Sequence, residues 1–183
     1  APSYTGIAGM VFDPQWEHIR LYLYHCLIAS IILVWALVDF DSQRLSIRSH
    51  LVVVSLLLIP VIIWPDLMPV PLVSAPVFAW LPPWLQSFLA CLAGGIVGVL
   101  LGWWAQQILR DSLLVPGVSA WIGIGLGWQA VVAVMLTALA IRLLTRLPLR
   151  LLEIAWLPLS SCLVAGFVVH HLWWRWLTEH IYW

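Results

Sequence analysis

Long apolar runs, broken by short clusters of arginine, aspartate, proline and glycine, set the pattern of this chain. A membrane-crossing helix needs roughly 20 mostly apolar residues, fewer where neighbours shield its ends. On that criterion the pattern predicts six spans. The first covers Leu21 to Val38 without a charge, and the second, His50 to Trp64, is short. Prolines at 65, 69, 71, 76, 82 and 83 then forbid a regular helix, so residues 65–85 are expected to form a loop or re-entrant hairpin. The third span covers Gln86 to Leu109 and the fourth Leu113 to Trp128. A tight turn at Gly127-Trp128 leads into the fifth, Gln129 to Leu144, and the sixth runs from Trp156 to Leu177.

Charges not used to draw these spans supply an orientation. Cytoplasmic loops attract Arg and Lys. With the N-terminus outside, Arg44, Arg48, Arg110, Arg142, Arg146 and Arg150 all fall in cytoplasmic connections, and only Arg20 and Arg175 on the other side. Both termini and the Pro-rich loop are therefore predicted to be non-cytoplasmic. A missed or added span would scramble this separation. Residues 1–20 read as an interfacial segment, in which Asp13-Pro14 suits a helix start: Asp accepts backbone N–H bonds and Pro fits the first turn. Ala1 to Gly9 hold no basic start of the signal-peptide kind, and a removed initiator Met before Ala1 is the expectation. Trp64, Trp80 and Trp84 flank the Pro-rich loop, and Trp173, Trp174, Trp176, Tyr182 and Trp183 close the chain. Amphipathic rings favour the depth where lipid meets water, so an interfacial belt is expected.

Composition agrees. Of 183 residues 63% are hydrophobic and 9% charged, and mean hydropathy is +1.02; a soluble domain carries roughly 25% charged residues. Eight arginines and eight acidic residues cancel, which argues against a nucleic-acid or acidic partner. The class predicted is all-α, one polytopic integral membrane domain over residues 1–183.

Candidate chemistry is sparse. Cys26, Cys91 and Cys162 stand apart in apolar runs with no Cys-x-x-Cys pair, and read as small buried hydrophobes. Ionisable groups inside a membrane are expensive and count as functional candidates. Asp39 and Asp41 lie at a span end, where Asp39 can pair with Arg44 or Arg48. His25 lies within the first span, where a hydrogen bond to a neighbouring helix is the default. His170 and His171 close the last span beside Arg175 and several Trp, which suits interfacial anchoring. Neutral imidazole also suits a haem or chlorophyll metal, so His25, His170 and His171 are the candidate ligands of an accessory subunit in a pigment- or haem-containing complex. Glu153 reads as a helix-start neighbour of Arg150 and Arg146. Gly94, Gly95, Gly98 and Gly102 have spacings that let helices approach closely, within the fold or against a partner. No Walker loop, Ser/His/Asp set, metal-ligand cluster or dinucleotide fingerprint is visible.

The run Ala36-Leu37-Val38-Asp39-Phe40-Asp41-Ser42-Gln43-Arg44-Leu45 resembles the first active-site motif of the prepilin peptidases, the membrane aspartyl proteases that trim type IV pilin leaders. There an apolar helix ends in a catalytic Asp at the cytoplasmic face, which Asp39 matches. Leu92-Ala93-Gly94-Gly95-Ile96-Val97-Gly98 resembles the Gly-rich helix before the second motif, and Gly123-Ile124-Gly125-Leu126-Gly127-Trp128-Gln129 the end of that motif's helix. The resemblance covers Ala29 to Arg146. It departs at the chemistry. The second motif begins Gly-Asp-x-Lys; counting back from Gly127 without gaps, Val115 stands at the Asp and Gly117 at the Lys. Ser46 and Ile47 stand where the first motif has Pro and Asn or Asp. Aspartyl proteolysis needs two carboxylates in different protonation states. A one-turn insertion would let Asp111 serve as the second.

The resemblance implies a compact prepilin-peptidase-like core in the bacterial inner membrane. The missing carboxylate implies a catalytically inactive subunit that binds other integral membrane proteins in a larger complex, among them possible prepilin-like helices, with no resident cofactor. A divergent peptidase using Asp39 and Asp111 is the alternative.

Overall fold

A computed structural model describes residues 16–41, 46–68, 80–109, 114–151 and 158–180, the side chains of 146–151 and 174–180 excepted. Asp13-Pro14, Arg44, the prolines at 69, 71 and 76, Arg110, Asp111, Glu153 and Tyr182-Trp183 lie outside the described residues. Among the described residues the chain is helical and contains no strand: α1 Trp16–Phe40, α2 Ile47–Ile63, a 3-10 turn Pro65–Leu67, α3 Pro83–Leu109, α4 Val115–Leu126, α5 Trp128–Leu151 and α6 Leu159–His180.

Local chemistry explains these limits. Ser46, which stands where the resembled motif has Pro, caps α2: its Oγ accepts the Ser49 N–H at 3.3 Å, satisfying one of the orphan donors of a helix start. Pro60 lies inside α2, and Pro65 closes it after the Trp64 N–H has bonded the Pro60 carbonyl at 2.8 Å. The proline-free requirement applied to residues 65–85 is too broad at its far end. Pro83 opens α3, because a first-turn N–H has no helical partner to lose. Gly127, at φ +90°, is the single residue joining α4 to α5, the tight turn expected there. Side chains adopt that backbone region at a cost that glycine escapes.

The helices alternate in direction. Tyr24 near the start of α1 donates its hydroxyl to the Leu57 carbonyl near the end of α2 at 3.1 Å, and Ser87 at the start of α3 reaches the Pro65 carbonyl at 3.2 Å. Arg48, Arg142, Asp39 and Asp41 thus share one end of the bundle. Arg20, Trp16, Trp64, Trp80 and Trp84 share the other, where the Arg20 guanidinium lies 5.7 Å from the Trp64 ring.

α4 occupies the centre. It is only 12 residues long, about 18 Å, yet ten of those residues are buried and it packs against all five other helices. Its closest neighbour is α3, through a seam of small residues: Gly94 faces Gly123, Gly98 faces Ser119 and Gly102 faces Pro116. Added carbons at Gly94 or Gly98 would overlap the backbone of α4. The glycine spacing is therefore used within the fold. Around this centre Ile28, Ile32, Trp35, Leu57, Val61, Trp121, Val131, Val134, Leu163 and Phe167 form the core.

The outside is apolar as well. Leu33, Val34, Leu37, Leu51, Val52, Leu56, Ile96, Val99, Leu100, Leu136 and Leu172 are all exposed. Such a continuous apolar exterior marks a surface not meant for water. Three helical segments, Trp16–Phe40, Pro83–Leu109 and Trp128–Thr145, are long and apolar enough to cross a membrane; Ile47–Ile63, Val115–Leu126 and Leu159–Trp173 are shorter apolar helices. The protein is a helical membrane protein by this measure.

Candidate functional site

The candidate residues fall at the two ends of the bundle. At the end carrying Arg48 and Arg142, Asp39 sits in the last turn of α1, where a carboxylate meets the negative end of its own helix dipole. The fold offsets this by bringing the start of α6 against it. Ser160, fully buried in the first turn of α6, donates its hydroxyl to Asp39 Oδ2. The positive end of the α6 dipole lies on the same side.

The position that the resemblance aligns with a second carboxylate falls on α4. Val115, which the gap-free count places at that position, is fully buried in the core. Two residues on, a side chain at Gly117 would have its Cβ 3.1 Å from Cε1 of His50. The His50 imidazole therefore fills the space over Gly117. Two indoles hold it there: the His50 ring lies 4.8 Å from Trp35 and 5.2 Å from Trp121, and those indoles meet nearly perpendicular at 3.8 Å. The edge-to-face contact between the two indoles is worth about 0.5–1.5 kcal/mol beyond burial. The space around Gly117 is packed with aromatic groups from α1, α2 and α4.

Comparisons with protein-family models, curated proteins and solved structures found no match for this chain.

At the opposite end, the fold brings together two of the three candidate histidines. His25 on α1 and His171 on α6 lie with ring centroids 4.8 Å apart and planes tilted by 50°. The partner of His25 Nδ1 is the Leu21 carbonyl of its own helix at 2.8 Å, not a neighbouring helix. His171 is exposed and stacks on Phe167 at 5.7 Å, with planes 13° apart. His170 is buried, unlike the interfacial anchor expected of it. Among the described residues no group of three or more His, Cys, Asp or Glu is placed to hold a metal. Two imidazoles on opposite faces of one haem iron, each nitrogen about 2 Å from the metal, need centroids about 6 Å apart. The His25–His171 spacing is too short for that arrangement.

Of the cysteines, Cys91 and Cys162 are buried as expected, whereas Cys26 is exposed. Sequence reasoning missed Ser160 and His50. Ser160 carries only the signal of a helix start, and nothing local links it to a carboxylate 121 residues earlier. His50 follows the α2 cap as an ordinary first-turn polar residue, and its indole partners come from two other helices.

Proposed function

We propose that this chain is a non-catalytic inner-membrane subunit on a prepilin-peptidase-like scaffold of six spans, with both termini outside the cytoplasm. Its role is structural, within a larger assembly of integral membrane proteins. One observation carries the reading: Asp39, the residue that matches the family's first catalytic Asp, is held by Ser160, while Val115 and Gly117 at the second motif lie within a packed core. A hydrolytic dyad requires a second carboxylate at a shared water, with the two divided between base and acid. A Ser hydroxyl on the carboxylate and an aliphatic side chain at the aligned second position cannot divide those roles. The same contacts do suit a structural part, because Asp39–Ser160 ties the first helix to the last. Arg48 and Arg142 at the Asp39 end support assigning that end to the cytoplasm. The short helices α2 and α4 reach across through neighbours that shield their ends.

The test has two arms. Purified protein is incubated with prepilin leader peptides in detergent or lipid, and a tagged chain is isolated from its native membrane for mass spectrometry and an absorption spectrum. The reading expects no cleavage and a reproducible set of membrane partners. Cleavage that Asp39→Asn abolishes would overturn it, and so would a monodisperse chain that brings nothing with it.

A further inference from the structure

The histidine pair between the first and last helices serves no purpose in the scaffold reading. We propose that His25 and His171 form an open two-histidine site for a divalent transition metal of the zinc, nickel or copper(II) class, with water on the remaining positions.

Two observations carry this. The first is spacing. An imidazole nitrogen binds such an ion at about 2.0–2.1 Å, which puts its ring centroid about 3 Å from the metal. Two rings bound side by side, at roughly 90–110°, then lie about 4.5–5 Å apart. The observed 4.8 Å falls in that interval, and the 50° tilt keeps the rings from stacking face to face. A linear two-coordinate ion needs about 6 Å by the same arithmetic, so the site discriminates against it. The second observation is orientation. The Leu21 carbonyl can only accept, so Nδ1 of His25 carries the proton and Nε2 keeps its lone pair. Metal-binding histidines nearly always give their other N–H to a carbonyl or carboxylate, which fixes tautomer and ring direction. His25 is set in that way before any ion arrives. Phe167, stacked on His171, restricts the second ring, and the rest of the fold leaves His171 uncovered.

Two protein ligands make a modest site, and imidazole selects borderline metals over calcium or magnesium, which take oxygen. Binding would clamp α1 to α6 at the end opposite Asp39–Ser160, so the two helices would be joined at both ends.

Full-length protein, purified through a tag other than polyhistidine, is loaded with Cu2+ and examined by pulsed electron paramagnetic resonance, which counts bound imidazoles. Affinity is measured by calorimetry with Cu2+ and Zn2+ for wild type, His25→Gln, His171→Gln and His18→Gln. The expectation is one ion per chain bound through two imidazoles. Loss of even an outer partner costs about 10–100-fold, so either of the first two changes should weaken binding by at least about tenfold, with His18→Gln unchanged. One imidazole or none in the wild type, which needs no variant to fold, would overturn the proposal. So would unchanged affinity in His25→Gln and His171→Gln.

Discussion

Single side chains tie the ends of different helices together. Asp39, in the last turn of α1, accepts a hydrogen bond that joins two helix ends. Removing the donor leaves the buried end of the carboxyl without one of its bonds, whereas an amide at 39 still accepts. Ser160→Ala is therefore expected to destabilise the protein by about 1–3 kcal/mol, and Asp39→Asn by less. Equilibrium unfolding in mixed micelles measures both, and equal losses would show that the hydroxyl is not bonded to the carboxylate. Gly127 poses a separate case. At φ +90° and ψ 169° it occupies a region almost closed to other residues, so Gly127→Ala should cost about 1–3 kcal/mol in the same measurement. A neutral result would mean that the α4–α5 turn has another geometry.

Between elements, the α3–α4 seam is the tightest contact among the described residues. Lipid offers no hydrophobic drive for two helices to associate, so backbones come together where small side chains permit close van der Waals packing. Gly98→Ala introduces a carbon that meets the Ser119 carbonyl and the Ala120 backbone, with nowhere to move but apart. Overpacking of this kind costs about 1–3 kcal/mol. Ile96→Ala, on the same helix but at a residue 61% exposed, should stay within about 0.5 kcal/mol. If both changes behave alike, the seam is not where α3 meets α4. The aromatic group of Trp35, His50 and Trp121 fixes a further junction, of α1 and α2 on α4, and explains why α4 can be short yet central.

For the whole molecule, alternation of the helices divides the exposed polar residues between two faces. Asp41 and Arg48 lie at one end, Glu17 and Asp66 at the other. With Cys26 replaced by Ser and the buried Cys91 and Cys162 kept, one cysteine added at each of these four positions in turn reports the sidedness of the bundle through a membrane-impermeant maleimide. Asp41→Cys and Arg48→Cys should label only after the membrane is opened, and Glu17→Cys and Asp66→Cys in intact spheroplasts. Labelling of all four from one side would rule out an odd number of crossings between α1 and its neighbours and overturn the six-span assignment.

Much of the architecture was legible in the chain, because a bilayer imposes a one-dimensional rule. Each long apolar run must satisfy its own backbone by becoming helical, and residue type alone marks where it stops. Hence the helices, the Gly127 turn and the grouping of described arginines followed from local pattern. The inner face of each helix did not, since the lipid-facing side is as apolar as the core and periodicity carries little contrast. Sequence spacing left the glycines of α3 open to use inside or outside the fold; only contact with α4 settled it. The site was hidden for the same reason. Ser160 against Asp39, His171 against His25, and His50 over Gly117 each join residues from different helices, and no local pattern encodes which helix ends meet. Packing decided those pairings, because only the assembled bundle fixes which polar groups find one another away from water.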